Sequence, residues 1–239
     1  METHFQQELN QLKSELLRMA GLVERAISNA VDALVKRDTP LAEKTIKEDA
    51  QINEMEIDID ERCLNLLALH QPMAGDLRFI TSAMRFNIEL ERIGDLAVNI
   101  AERVISLNQE PQLKPYIDIP EMAEITQKML RDVLNAFVGG DVALARAVCE
   151  RDDKVDALNN QVFRELLTYM MSDPKTITRS VHLIIVSRYL ERIADHATNI
   201  AEGVIFMAQA LVIKHHADTK GEKGDETKLN SAKGEPGIA

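Results

Sequence analysis

The chain has 239 residues, 45% of them hydrophobic and only 4% aromatic, with no Trp and a formal net charge of -11 from 28 basic and 39 acidic side chains. That length and apolar content are enough for a real core, and an acidic surface without any run of Lys or Arg argues against a nucleic-acid partner. Sparse Gly and Pro beside abundant Ala, Leu, Ile, Glu and Met are the composition of long helices, so the expected fold is all-α.

The start, METHFQQELN, has no basic stretch leading into an apolar run and does not resemble a secretory signal. In the first helical segment Leu9, Leu12, Leu16, Met19, Val23, Ala26, Ala30 and Leu34 recur in steps of three and four, which places one apolar stripe along a helix over 4–37. Pro40 follows Asp38-Thr39, the pattern of a polar cap before a first-turn proline, and opens a second helix over 40–70. Pro72 precedes a third, over 73–108. The segment 111–119, which contains Pro111 and Lys114 and has no helical period, reads as a linker. Pro120 after Asp118-Ile119 begins a fourth helix over 120–138, Gly139-Gly140 breaks it, and two more follow over 141–171 and, from Pro174, over 174–214. The last of these ends in the longest mostly apolar stretch, 204–213, well short of the ~20 residues a membrane span needs. The residues after it, 215–239, are rich in Gly, Lys and Glu and are expected to be disordered. A cytoplasmic location follows by elimination, with membrane contact only through a partner. Cys63 and Cys149 sit inside helical patterns and are expected as free thiols in a reducing compartment.

Three helices are thus followed by three more, and the text of the third recurs in the sixth. Glu91 to Val104, ERIGDLAVNIAERV, matches Glu191 to Val204, ERIADHATNIAEGV, at ten of fourteen positions. The shift there is one hundred residues; Asp38, Leu41, Ala42 and Asp49 find counterparts in Asp141, Leu144, Ala145 and Asp152 at a shift of 103. Identical positions include the polar ones, which packing alone would leave to drift. The expected architecture is two tandem antiparallel three-helix bundles, 1–110 and 120–214, related by internal duplication.

At about 100° per residue, Leu90, Ile93, Ala97, Ile100, Ala101 and Val104 form one apolar arc, and Glu91, Asp95 and Glu102 lie within about 40° of one another at its border. Glu191, Asp195 and Glu202 repeat this ridge. Carboxylates one turn apart repel. Arg92 and Arg192 stand three residues before Asp95 and Asp195, and a hard cation shared by several carboxylates would remove the remaining repulsion. The preceding helices offer a second wall: Asp49, Asn53, Glu56 and Asp60 in the first copy, and Asp152, Asp156 and Asn159 in the second. An all-oxygen set suits Mg, Mn, Ca or iron better than a structural zinc site. A solvated acidic face is the alternative reading. His196 falls off the ridge, where the first copy has Leu96, and reads as a partner-facing or capping residue rather than a ligand.

No phosphate loop, dinucleotide fingerprint, nucleophile elbow or HExxH motif is present, and no Glu stands three residues before a His as di-iron bundles require, so no enzyme activity is expected. A carboxylate-bridged metalloenzyme and a helical scaffold without metal remain as alternatives.

QPMAGDLR (71–78), LERIGD (90–95), RDDKVD (151–156), LLTYM (166–170) and YLERIADHATNIAE (189–202), present together, resemble the PhoU family of phosphate-specific transport system accessory proteins. The resemblance implies paired ExxxD motifs that bind iron or zinc, possible multinuclear centres among them, with Glu91, Asp95, Glu191, Asp195, Asp152 and Asp156 as ligands. In the first copy Asp49 is followed by Asn53 where the motif has a second acid, one charge fewer. The resemblance further implies a homodimeric negative regulator of the phosphate starvation response, acting between the phosphate ABC transporter and a phosphate-sensing histidine kinase.

Overall fold

The structure is a computed structural model and describes residues 4–209; the expected disordered tail, 215–239, and the last turn of the sixth predicted helix lie outside the described residues. The described residues contain no strand and form helices joined by short connections and one longer linker: α1 (His4–Lys36), α2 (Thr39–Glu48), α3 (Ala50–His70), α4 (Ala74–Leu107), α5 (Asp118–Gly139), α6 (Val142–Ser172), a 3-10 turn (Pro174–Thr176) and α7 (Ile177–Gln209). The helix expected over 40–70 is two helices. Asp49 between them keeps helical torsions (φ -59°, ψ -32°), and its carbonyl accepts from the N–H of both Ile52 (2.8 Å) and Asn53 (3.1 Å), so α3 restarts directly on Asp49.

The duplication is visible in backbone detail. The connection after α1 turns through Arg37 at φ 56° and that after α5 through Gly140 at φ 65°. In both, the next residue is an aspartate whose N–H bonds back to the helix, Asp38 to Ala33 and Asp141 to Ala136, each at 2.9 Å. Each aspartate then caps the following helix, accepting at 3.0 Å from Leu41 N–H or Leu144 N–H. An arginine in the left-handed region costs about 1–2 kcal/mol that glycine avoids. Arg37 offsets it by donating through Nη2 to the carbonyls of Asn108 (3.0 Å) and Glu110 (2.5 Å) in the linker.

Helices α1–α4 and α5–α7 form two bundles that share a single hydrophobic core. Its middle is the pairing of α4 with α7, whose buried faces are the predicted ones: Leu90, Ile93, Ala97, Ile100, Ala101 and Val104, and the six residues one hundred positions later. Each such Leu or Ile contributes about 1.5–3 kcal/mol by leaving water. The two helices run antiparallel, since early α4 meets late α7 (Arg78 Nε to Met207 carbonyl, 3.4 Å) and their middles meet at Glu89 and His196 (2.5 Å). Arg92 and Arg192 therefore flank the pseudo-twofold axis.

At one end of this seam Phe86 packs edge-on against Phe137 (4.8 Å between centroids, 79°), which stacks on Phe79. Gly203 makes room for Phe86: a Cβ at that position would lie 2.5 Å from the ring's Cε1. That accounts for Gly203 where the first copy has Arg103.

Candidate carboxylate sites on the repeated helices

Two equivalent hydrogen bonds set the register between each ridge helix and its neighbour. Buried Asn87 on α4 donates through Nδ2 to the carbonyl of Glu56 on α3 (2.7 Å), and buried Ser187 on α7 donates through Oγ to Asn159 Oδ1 on α6 (2.8 Å). Residues 87 and 187 correspond in the duplication, as do 56 and 159. With that register Asp49 of α3's cap faces Asp95, and Asp156 of α6 faces Glu191.

In the first repeat Asp49, Glu56, Glu91 and Asp95 form one electrostatic group. Burial pushes the Glu91 carboxyl above its ordinary pKa, and the charges of Asp95, Glu56 and Asp49 add to it, with Arg92 opposing. Burial likewise raises Asp49, the amide of Asn53 pulls it back, and Asp95 pushes it up again. Asn53 Nδ2 donates to Asp49 Oδ2 at 3.0 Å, whereas Asp49 Oδ1 is buried with no hydrogen-bond partner. Gly94 lets α3 come this close. A Cβ there would meet Ile52 Cδ1 at 3.2 Å and Asp49 Oδ1 at 3.4 Å.

In the second repeat Glu191 is raised by burial, then by the charges of Asp195 and Asp156, with Arg188 and Arg192 opposing. Asp152 is 2% exposed and, with Glu202, flanks the thiol of Cys149. Burial, then Glu202 and Asp152, push that thiol up to about 11, and burial with Asp60 pushes Cys63 up to about 12. Both cysteines are free thiols held well away from their reactive form.

Not every predicted ridge residue joins these groups. Glu102 lies seven residues beyond Asp95, about 10 Å along the axis. It is exposed, with Arg103 Nη2 at 3.9 Å. Glu202 is equally far from Asp195 but has Asp152 for company. The ion pair of Arg92 also differs from the expected one: the guanidinium turns back to Glu89 at 3.9 Å rather than forward to Asp95. Glu89 attracts it because His196 and Asn199 of α7 already hold that carboxylate in the seam, at 2.5 and 3.3 Å. His196 is thus a half-buried intramolecular partner across the pseudo-twofold seam, not a capping residue. No repeat signal pointed to Glu89, whose counterpart is Tyr189.

Among the described residues no three or more His, Cys, Asp or Glu side chains are already gathered as a metal site. The donor set nonetheless fits a hard cation. It is all oxygen, burial and then the charges of neighbouring carboxylates hold its members above their ordinary pKa, and it includes a buried carboxylate oxygen on Asp49 without a hydrogen-bond partner. Between the two groups the seam opens into a groove of about 360 Å³ lined by Arg92, Asp95, Leu96, Asn99, Arg192 and His196.

Comparison with known proteins agrees with the repeat. The PhoU domain family matches twice, at residues 16–104 and 119–204. A phosphate-specific transport system accessory protein PhoU homolog of Aquifex aeolicus is 47% identical over 216 residues, 90% of this chain and 98% of the relative. Its Pseudomonas aeruginosa counterpart is 43% identical over 88% of each chain. Among solved structures, PhoU from Pseudomonas aeruginosa superposes with a TM-score of 0.84 at 44% identity, covering 87% of this chain and all of that one. The phosphate transport system regulatory protein PhoU from Streptococcus pneumoniae gives 0.83 at 30% identity, covering 88% and all. Both repeats match, and similarity runs along nearly all of the described helices: this chain belongs to the PhoU family.

Proposed function

We propose that this protein is a regulatory adaptor of phosphate uptake and signalling, a negative regulator of the phosphate starvation response that links a phosphate ABC transporter to a phosphate-sensing histidine kinase at the cytoplasmic face of the membrane. Family membership and the names of its relatives support the phosphate connection. No described helix is long and apolar enough to cross a membrane. The fold also offers surfaces for them. Ile57 and Leu64 on α3, and Phe163, Leu167 and Met171 on α6, are exposed apolar residues on corresponding helices of the two repeats. Such faces suit helix-on-helix docking to partners or to a second copy in a homodimer.

The observation that carries the metal part of the reading is that the duplication keeps equivalent carboxylate groups at the same two helix pairs. In the first, Asp49, Glu91 and Asp95, with Glu56 at hand, would hold a cation; in the second, Glu191 and Asp195 would, with Asp156, with Asp152, the counterpart of Asp49, and with Glu202 as a further candidate. Iron or zinc is the expected ion, with Mg or Mn as further hard cations that oxygen donors accept. Bound metal would replace carboxylate repulsion by attraction and lock α3 to α4 and α6 to α7. Its role here is structural and regulatory, not catalytic. Affinity capture with transporter and kinase components, in high and in low phosphate, tests the adaptor role. Capture of both in phosphate excess is expected, and binding to neither under both conditions would defeat it.

A further inference from the structure

The duplication is broken in one place with a consistent chemical sense. At the end of the seam away from the phenylalanines, four cationic or ionisable residues stand where the other copy has none: Arg37 against Gly140, Arg103 against Gly203, Arg179 against Phe79 and His182 against Ser82. The fold gathers all four at the linker. Arg37 reaches the carbonyl of Glu110 from α1, and Arg179 reaches the carbonyl of Pro111 (2.9 Å) and the carboxylate of Glu110 (3.2 Å) from α7. His182, one turn after Arg179, sits beside Arg103 and Glu110, and Tyr116 lies within the field of Arg37 and Arg179.

Clamping the linker explains only part of each side chain. Arg37 Nη1, Arg103 Nε and His182 Nδ1 are buried without a hydrogen-bond partner, and buried Arg179 Nε has the Glu110 carboxylate at 3.2 Å but no aligned hydrogen bond to it. Among the described residues no other buried side-chain nitrogen lacks a hydrogen-bond partner. Local anions do not meet the need. Glu110 is nearly half exposed and misaligned for the Arg179 Nε–H, and Glu102 stays 3.9 Å from Arg103. Three guanidinium groups concentrated on a chain of net charge -11, with their inner donors unmet, ask for an anion with several acceptor oxygens.

We infer that the linker end of the α4–α7 seam binds a small tetrahedral oxyanion of the phosphate or sulfate class, through Arg37, Arg103, Arg179 and His182. Guanidinium edges present paired donors that match adjacent oxygens of such an ion, and a neutral His182 ring protonated on Nδ1 adds a further donor. The site is separate from the carboxylate groups and depends neither on metal nor on the adaptor role. Because the linker joins the two repeats here, an ion at this point would tie α1, α4, α7 and the linker together.

Calorimetric titration of the full chain, stripped of metal on a chelating resin, with inorganic phosphate, sulfate, chloride and O-phosphoserine tests it. Expected is saturable 1:1 binding of phosphate or sulfate, with chloride inert and O-phosphoserine weaker than the free ion. Arg103→Gln and Arg179→Gln should each weaken binding at least ~10-fold, the loss of a charge-assisted hydrogen bond. Arg131→Gln, at an exposed pair with Glu24, should change nothing. Circular dichroism verifies that the variants fold, and phosphate should raise the melting temperature of the parent chain but not of Arg103→Gln. No saturable oxyanion binding, binding that both variants leave unchanged, equal binding of chloride, or tighter binding of O-phosphoserine would each overturn the inference.

Discussion

Gly203→Ala tests whether the two repeats pack as one core. A Cβ on residue 203 would stand 2.5 Å from Phe86 Cε1, 3.2 Å from Cζ and 3.7 Å from Cδ1, against an ordinary carbon–carbon contact of ~3.5–4 Å. The ring must therefore retreat by about 1 Å. It is 2% exposed and sits edge-on against Phe137, which is itself stacked on Phe79, so it has little space to enter. Overpacking of this kind costs about 1–3 kcal/mol, and alanine returns about 1 kcal/mol of helix propensity. The net is a loss of about 1 kcal/mol, or ~2–4 °C in melting temperature for a chain of this size. Thermal unfolding followed by circular dichroism reads it directly. Gly21→Ala is the control: it lies on exposed helix with nothing within 4 Å of its would-be Cβ, and should raise the melting temperature. Adding Phe86→Leu, which shortens the offending ring, should make Gly203→Ala neutral or favourable and give a coupling of at least ~0.5 kcal/mol. If Gly203→Ala stabilises as much as Gly21→Ala, or the two seam substitutions simply add, the packing described between α4 and α7 is wrong.

Further expectations come from the charged groups. In metal-free protein Asp49→Asn and Glu191→Gln should each stabilise, by a few tenths of a kcal/mol, because each removes a carboxylate that its neighbours repel; destabilisation by either would show that the carboxylates are already compensated. Asp49, Glu91 and Glu191 have raised pKa values, so the native state keeps protons that the unfolded chain releases, and their contribution to stability falls as pH rises from the ordinary carboxylate range through the raised values. Urea melts of metal-free protein should show that slope diminished in the triple variant Asp49→Asn, Glu91→Gln, Glu191→Gln. Glu89 behaves oppositely. Burial pushes it up, but hydrogen bonds from His196 and Asn199, with the charges of His196 and Arg92, hold it below the ordinary range, so its contribution is present above its unfolded pKa and lost as pH falls through the lower folded one. Glu89→Gln should cost about 1.5–3 kcal/mol at neutral pH, and an unchanged urea midpoint would show the seam contact to be inconsequential. Cys63 and Cys149 should react with a thiol reagent at neutral pH only as fast as the chain opens, and rapid labelling of the folded protein would contradict their burial.

Helix periodicity and proline punctuation made six helical segments legible, because a continuous apolar stripe such as Leu9 to Leu34 has only one way to be buried. The restart at Asp49 escaped that reading, since both halves share the stripe and the torsions at Asp49 stay helical. Duplication made Glu91, Asp95 and their counterparts visible as a set, and the spacing of Asp49 and Asp156 on the preceding helices added the facing wall. What periodicity cannot say is how two repeats meet. Glu89 with His196, and the linker end with Arg37, Arg103, Arg179 and His182, join residues dozens to more than a hundred positions apart, and only the antiparallel pairing of α4 and α7 brings them together. A comparison of the copies for differences, rather than identities, would have marked the second of these.

The most direct test is metal content. Chain stripped on a chelating resin, re-equilibrated with zinc or ferrous iron under exclusion of oxygen and desalted, should retain metal by elemental analysis. Glu91→Ala with Asp95→Ala should remove the share held by the first repeat, Glu191→Ala with Asp195→Ala that of the second, and the quadruple variant should retain none. Equal metal in the parent chain and the quadruple variant would contradict the assignment of the repeated carboxylates as cation sites.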